Sequence, residues 1–96
     1  MSISVVLVFK AKDEMFEKMR ETFKGALAET KSYDGCQQVG ACADENDKSV
    51  ILYEVWDSID HQKKYMKWRE DTGVLKAIGE MCREAPDVSY KSFLFK

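Results

Sequence analysis

The sequence has few of the residues from which most metal and cofactor sites are built. It contains one histidine and three cysteines, and no two cysteines have the spacing of a CxxC pair. One histidine among scattered acidic residues does not supply a zinc ligand set, and no glycine-rich phosphate loop is present. We therefore expect no metal and no cofactor. An odd number of cysteines without paired spacing predicts reduced thiols, as in the cytoplasm.

Long apolar runs and concentrated positive charge are missing as well. No apolar run approaches the length of about 20 residues that a membrane span requires, and residues 1–9 lack the basic start and cleavage site of a signal peptide. The net charge is −2, with lysines interleaved among acidic residues, whereas a nucleic-acid-binding face needs massed positive charge. We therefore expect a cytoplasmic protein that binds neither membrane nor nucleic acid.

The pattern that is present predicts a single domain, residues 1–96, in which strands and helices alternate. β-branched and aromatic residues predict strands at residues 3–9, 36–43, 49–56 and 88–95. Apolar residues recurring every three or four positions predict helices at residues 13–31, 58–70 and 74–82. This order is that of an α+β, ferredoxin-like βαββαβ domain, an antiparallel sheet with helices on one face.

The strands carry apolar side chains on both faces, although the helices can cover only one face. Side chains predicted on the uncovered face are Val6, Val8, Ile51, Tyr53, Val55, Phe93 and Phe95. Soluble monomers rarely expose a contiguous patch of this kind, and its burial would contribute about 25 cal/mol per Å². The pattern therefore predicts a homodimer, sheet against sheet, closed by two-fold symmetry.

The polar and aromatic residues best suited to a site lie in one strand-to-helix corner. These are Glu54, Trp56, His61, Tyr65, Trp68 and Arg69. Glu54 and Trp56 share one face of the strand, while helical spacing places His61 and Tyr65 on one helix face with either Trp68 or Arg69. If the two faces meet, they form a pocket with aromatic walls and a few polar groups.

Each of these residues also has a purely structural interpretation. A carboxylate at position 54, between apolar neighbours, must be paired, exposed or at a cavity, and an ion pair with Arg69 is the more frequent outcome. Trp56 is either a ring that stacks on a flat substrate or a core residue. His61 is either a general base towards a substrate or a solvated residue in the first helical turn, which is the more common case. Tyr65 either orients a substrate hydroxyl or packs its ring.

The segment Tyr53-Glu54-Val55-Trp56-Asp57-Ser58, with Gly35 opening the second strand, resembles the antibiotic biosynthesis monooxygenase (ABM) domain family. The segment Tyr65-Met-Lys-Trp-Arg69, followed by Thr72-Gly73, resembles its quinol monooxygenase subgroup. The resemblance covers nearly the whole chain. It implies a dimeric α+β barrel, in agreement with the dimer predicted from the two-faced strands.

The resemblance implies a cofactor-independent monooxygenase that oxidises a small quinol, anthrone or related phenol with molecular oxygen. On this interpretation Tyr65, His61, Glu54 and Arg69 are catalytic, and Trp56 and Trp68 bind the substrate. The histidine and asparagine of haem-degrading relatives are absent, which argues against haem chemistry. Many members of the family also carry histidine at the position of Tyr65. Two alternatives therefore stay open: a dimeric small-molecule-binding protein without catalysis, and an isomerase of a small oxygenated metabolite.

Overall fold

The computed structural model describes residues 1–96 and forms a four-stranded sheet with helices on one face. The strands and helices in chain order are β1 (Ile3–Lys10), α1 (Phe16–Ser32), β2 (Cys36–Asp44), β3 (Ser49–Trp56), α2 (Ile59–Thr72), α3 (Val74–Met81) and β4 (Asp87–Lys91). All neighbouring strands pair antiparallel, in the order β2-β3-β1-β4. This is the predicted ferredoxin-like arrangement.

The core lies between the helices and one face of the sheet. Buried apolar side chains of this layer include Val5, Leu7, Phe9, Val50, Leu52 and Trp56 from the two central strands. They pack against buried residues of α1 and α3, among them Phe16, Met19, Phe23, Ile78 and Met81. The alternating burial along β1 and β3 is the period of two that a strand imposes. It fixes Glu54 and Trp56 on the helix-facing side.

The last strand is shorter than the sequence predicts. The sequence pattern continues to Phe95, but β4 ends at Lys91. The reason is that Lys91 pairs with Ser4, and β1 begins one residue earlier at Ile3, so no strand remains to pair with the residues that follow. Phe93 and Phe95 therefore do not extend the sheet, and Phe95 is almost fully exposed.

The first helix also begins later than expected. A single 3₁₀ turn, Asp13–Met15, precedes α1, and no side chain caps either element. The backbone N–H of Lys12 is bound to the carbonyl of Met81, which ties this connection to the end of α3. The predicted break between α2 and α3 is present, and Gly73 makes it with a left-handed φ of 85°.

Two further expectations concern the thiols and the membrane. The three cysteines are free thiols, as their spacing predicts. No helix has both the length and the apolar character needed to cross a membrane.

Candidate active site

The corner between β3 and α2 sets the orientation of the candidate side chains. The hydroxyl of Ser58 accepts a hydrogen bond from the backbone N–H of His61 at 3.1 Å, so this serine caps α2 as expected. The same hydroxyl is 2.7 Å from Nδ1 of the His61 ring. The ring lies against the turn at Gly35, and 37% of the side chain is exposed. His61 therefore faces away from the core.

The inward face of α2 carries polar side chains where a core helix usually carries apolar ones. Gln62, Tyr65 and Arg69 are all buried, and the last is only 3% exposed. Their spacing of three and four residues is that of one helix face. The sequence placed Tyr65 and Arg69 on a common face correctly, but the inward position of the first turn belongs to Gln62 and not to His61.

Arg69 is the centre of a buried hydrogen-bond network between α2 and α1. Its Nε donates to the Tyr65 hydroxyl at 2.6 Å, and its Nη2 donates to the Ala26 carbonyl at 2.7 Å and to Thr30 Oγ1 at 3.0 Å. Its Nη1 lies 3.3 Å from Oε1 of Glu29, whose side chain is largely exposed. The guanidinium is thus held in place by four partners.

One hydroxyl proton of this network is left without a protein acceptor. The hydroxyl oxygens of Thr30 and Tyr65 are 2.5 Å apart, and either can be the donor. Both oxygens also accept hydrogen bonds from Arg69. Because two hydroxyl protons share a single hydrogen bond, one proton remains available to a group outside the network. Burial raises the pKa of the Tyr65 hydroxyl above its usual value, against the lowering effect of its hydrogen bonds with Thr30 and Arg69, so this hydroxyl stays protonated.

Glu54 is the one acidic side chain in the core, with 2% of the residue exposed. Its Oε1 accepts a hydrogen bond from Trp56 Nε1 at 2.8 Å. Burial raises the pKa of this carboxyl, while the Trp56 hydrogen bond and the positive charge of Arg69 act in the opposite direction. The expected ion pair between Glu54 and Arg69 does not form, because the carboxylate in contact with Arg69 is that of Glu29.

Four aromatic rings pack around the network. Trp56, which is fully buried, lies 5.0 Å from the Tyr65 ring between centroids. Tyr33, from the turn after α1, lies 5.2 Å from both Tyr65 and Trp68. The guanidinium of Arg69 stacks over the Trp68 ring at 4.7 Å. The aromatic cluster therefore supports the side chains of the network and fixes their positions.

A small cavity opens beside this network, between the sheet and the helices. Its volume is about 30 Å³, which is room for a water molecule and little more. Its lining contains the polar residues Thr30, Glu54, Tyr65 and Arg69, and otherwise apolar side chains such as Leu7, Leu52, Met66 and Ile78. No three His, Cys, Asp or Glu side chains converge closely enough to hold a metal ion.

The structure brings together only part of the predicted site. Glu54, Tyr65 and Arg69 line the cavity, whereas Trp56 and Trp68 lie behind its walls and His61 lies outside. Sequence reasoning missed residues that complete the network, namely Thr30, Glu29, Tyr33 and Gln62. Thr30 carried a usable signal, because it is a hydroxyl at the end of the otherwise apolar stripe of α1.

Gln62 provides a test of the inward face of α2. Its Nε2 is buried without a hydrogen-bond partner, although its Oε1 accepts from the Tyr90 hydroxyl at 2.9 Å. Because an unpaired buried amide is unfavourable, we expect Gln62→Leu to raise the free energy of unfolding by about 1 kcal/mol in urea denaturation. Tyr90→Phe should instead lower it, because this change leaves the buried Oε1 of Gln62 without its donor as well. A clear loss of stability in Gln62→Leu would contradict this placement.

Solved structures of other proteins share this fold. No curated protein matches the chain. The structure of Rv0793 from Mycobacterium tuberculosis superposes with a TM-score of 0.89 at 14% identity, covering 100% of this chain and 98% of that one. A mutant of SnoaB from Streptomyces nogalater, described as a cofactor-independent oxygenase, gives a TM-score of 0.81 at 10% identity, over 99% and 95% of the chains. A conserved protein from Methanosarcina mazei Go1 gives 0.83 at 15% identity, over 94% and 90%.

The family assignment comes from the sequence model and not from these distant structures. Identities of this size establish a shared fold only. The family model described as antibiotic biosynthesis monooxygenase matches residues 2–78, which include the strand-to-helix corner and the whole network around Arg69. The chain therefore belongs to the antibiotic biosynthesis monooxygenase family.

Proposed function

We propose that this protein is a cofactor-independent monooxygenase that oxidises a small quinol, anthrone or related phenol with molecular oxygen. The observation that carries the proposal is the lining of the inner cavity, which contains a carboxyl group together with a guanidinium-anchored pair of hydroxyls. SnoaB, which shares the fold, is described as a cofactor-independent oxygenase. The side chains at the cavity can supply a base and hydrogen-bond donors.

Glu54 is the base in this proposal. Burial raises the pKa of its carboxyl group towards neutral pH. A general base is most effective when its pKa lies near the working pH. The Trp56 indole N–H holds one carboxylate oxygen, which leaves the second oxygen for the substrate. His61, the other base considered from the sequence, is partly exposed and lies outside the cavity, so we assign it no proton transfer.

Tyr65 and Arg69 are the proposed oxyanion-stabilising groups. The free proton of the Thr30–Tyr65 pair is available to an acceptor outside the network, and Arg69 holds both oxygens in place. Donors that are already oriented need little reorganisation when negative charge develops. Trp56 and Trp68 then act by holding Glu54 and Arg69 in position, and a direct contact with substrate is not needed.

The reaction balances without a cofactor. Glu54 takes a proton from the substrate, and the resulting electron-rich carbanion or phenolate adds to oxygen to form a carbon–oxygen bond. Protonation gives a hydroperoxide. Loss of a second proton from the same carbon forms a carbonyl group with the electrons of that carbon–hydrogen bond, while the oxygen–oxygen bond breaks and the outer oxygen leaves as water. One oxygen atom remains in the product and the other becomes water, so the substrate supplies all the electrons. No external reductant is needed.

Tyr65 stands where many members of the family carry histidine, and this favours a second candidate function. In every case a cavity of about 30 Å³ must widen to hold a ring. A binding protein that has lost the chemistry, or an isomerase of a small oxygenated metabolite, remains the alternative. Oxygen consumption separates the first function from the other two.

The test is oxygen uptake by chelator-treated protein with a panel of quinols and anthrones. We expect uptake that requires the protein, survives the chelator and falls to the background rate in Glu54→Gln. Glu80→Gln, a neutralised and exposed glutamate on α3, is the matched control and should retain full activity. Absence of uptake across the panel would contradict the oxygenase and favour the binding or isomerase alternatives.

We also propose a homodimer through the outer face of the sheet. Val6, Val8, Ile51 and Val55 point away from the helices and are only partly covered, and Tyr53, which is 45% exposed, lays its ring across Gly40. Ile51→Glu should therefore give a monomer in light scattering, where the wild type should show twice the 11.1 kDa of the chain. Ile59→Glu, the same change at an exposed isoleucine on α2, should stay dimeric. A monomeric wild type would contradict this interface.

A further inference from the structure

A second and larger void lies next to the inner cavity. It is a groove of about 230 Å³ between α1 and the edge strand β2. The groove exists because Ala41 and Ala43 occupy the helix-facing side of β2, opposite the buried Leu52 and Val50. Their methyl groups are too small to reach α1, and both alanines are exposed. A void of about 150 Å³ already accepts a benzene ring, so this groove has room for an aromatic ligand.

The groove and the inner cavity share a wall. Phe23 and Leu27 of α1 line both voids, and no other residue does so. The ring of Phe23 packs against Phe9 at 4.9 Å, and Leu27 is only partly buried. Rotation of these two shared side chains would connect the two spaces. A ligand in the groove would lie directly outside the inner cavity described above.

The charge of the groove is one-sided. Arg20 and Lys24, one turn apart on α1, line it together with apolar side chains, and no carboxylate lines it. Glu17 and Glu45 contact Arg20, and Glu21 contacts Lys24, but these acids are exposed and outside the groove. Exposed ion pairs of this kind are weak and are easily exchanged for another anion. Arg20 and Lys24 are therefore the charged side chains that an anionic ligand in the groove would meet, in exchange for these carboxylates.

We propose that the groove is the outer half of the substrate site, that it admits ligand to the inner cavity past Phe23 and Leu27, and that it selects small planar aromatic anions. The inference rests on the proposed function, because it assigns the substrate class of that same site. The aromatic ring would lie on Ala41, Ala43 and the Phe23–Leu27 wall. The anionic group would lie between Arg20 and Lys24 at the rim.

The test measures binding without turnover, so that its outcome does not depend on oxygenase activity. Naphthalene-2-carboxylate and its neutral amide, which have nearly the same shape, are titrated into labelled protein and followed by backbone amide shifts. We expect the carboxylate to bind about tenfold more tightly than the amide, with the preference falling as salt is added. Shifts are expected at residues 41–43 and also at Val74 and Ile78, which line only the inner cavity.

Four variants separate the contributions of charge and shape. Arg20→Gln with Lys24→Gln should reduce the carboxylate preference to about twofold or less. Lys18→Gln with Lys31→Gln removes the same charge from exposed positions of α1 outside the groove and should leave the preference unchanged. Ala43→Trp should fill the groove and abolish both sets of shifts, whereas Ala28→Trp, at an exposed alanine elsewhere on α1, should not.

Several results would overturn the inference. Equal affinity for the carboxylate and the amide would show that the groove does not select anions. A preference for the carboxylate that persists after Arg20 and Lys24 are both replaced would show the same of these two residues. Shifts confined to β2, or inner-cavity shifts that persist in Ala43→Trp, would disconnect the groove from the cavity. If the ligands bind as expected but no compound of the panel supports oxygen uptake, the groove is confirmed as a binding site for aromatic anions and the proposed oxygenase activity is contradicted.

Discussion

Replacing Arg69 by methionine should lower the free energy of unfolding by about 2–4 kcal/mol. The guanidinium is buried and donates hydrogen bonds to Tyr65, Thr30 and the Ala26 carbonyl. Methionine fills much of the same space but leaves these oxygens without their donor. Urea denaturation measures the loss. Arg69→Lys should recover only part of it, because an ammonium group cannot reproduce the planar fork of donors.

The control for this prediction lies on the same helix. Lys67 pairs with Asp71 at 2.7 Å on the exposed face of α2. Lys67→Met removes a positive charge and an ion pair without touching the core, so it should cause no measurable change in unfolding. Equal stability losses in the two variants would show that the Arg69 network does not hold α1 and α2 together.

Glu54→Gln should separate activity from stability. Glutamine can still accept the Trp56 hydrogen bond, but it cannot take a proton, so we expect turnover to fall by about 100-fold or more. At neutral pH we expect the free energy of unfolding to rise by on the order of 1 kcal/mol, because a buried charge is removed. A variant that is more stable but inactive would show that the buried carboxylate of Glu54 lowers the stability of the fold and is needed for proton transfer.

The pH dependence of this stability difference follows from the direction of the pKa shift. Burial raises the pKa of Glu54 in the folded state, so the folded protein holds this proton more tightly than the unfolded chain. The stabilisation is complete below the ordinary carboxyl pKa and is lost as pH rises through the folded-state value. Wild type and Glu54→Gln should therefore be similar in acid, with the gap opening towards neutral pH. A gap that closes with rising pH would contradict the shift.

The fold could be predicted from the sequence because its signals are local. Period-two burial in β1 and β3, the serine cap of α2 and the glycine break at position 73 each specify their element within a few residues. The end of β4 could not be predicted, because β4 pairs with β1 and ends where β1 begins. A segment alone does not reveal how long its partner is.

The site was predicted less completely, for a similar reason. Helical spacing puts Tyr65 and Arg69 on one face and leaves the direction of His61 open, and in the structure Gln62 holds the inward position of the first turn. A rotation of about 100° between consecutive residues of a helix leaves such a choice open until the packing partner is known. Thr30 and Glu29 were missed because they reach Arg69 from α1, about 40 residues away in the chain, and sequence spacing does not encode that contact.

The most direct test of the proposed oxygenase follows the oxygen atoms. The active substrate of the panel is turned over under isotopically labelled oxygen gas, without reductant and after chelator treatment, and product and water are analysed by mass spectrometry. We expect one labelled atom in each product molecule, one in water and no hydrogen peroxide. A product without label, formed together with hydrogen peroxide, would show an oxidase, and an unlabelled product of unchanged mass would show an isomerase; either result would contradict monooxygenation at this site.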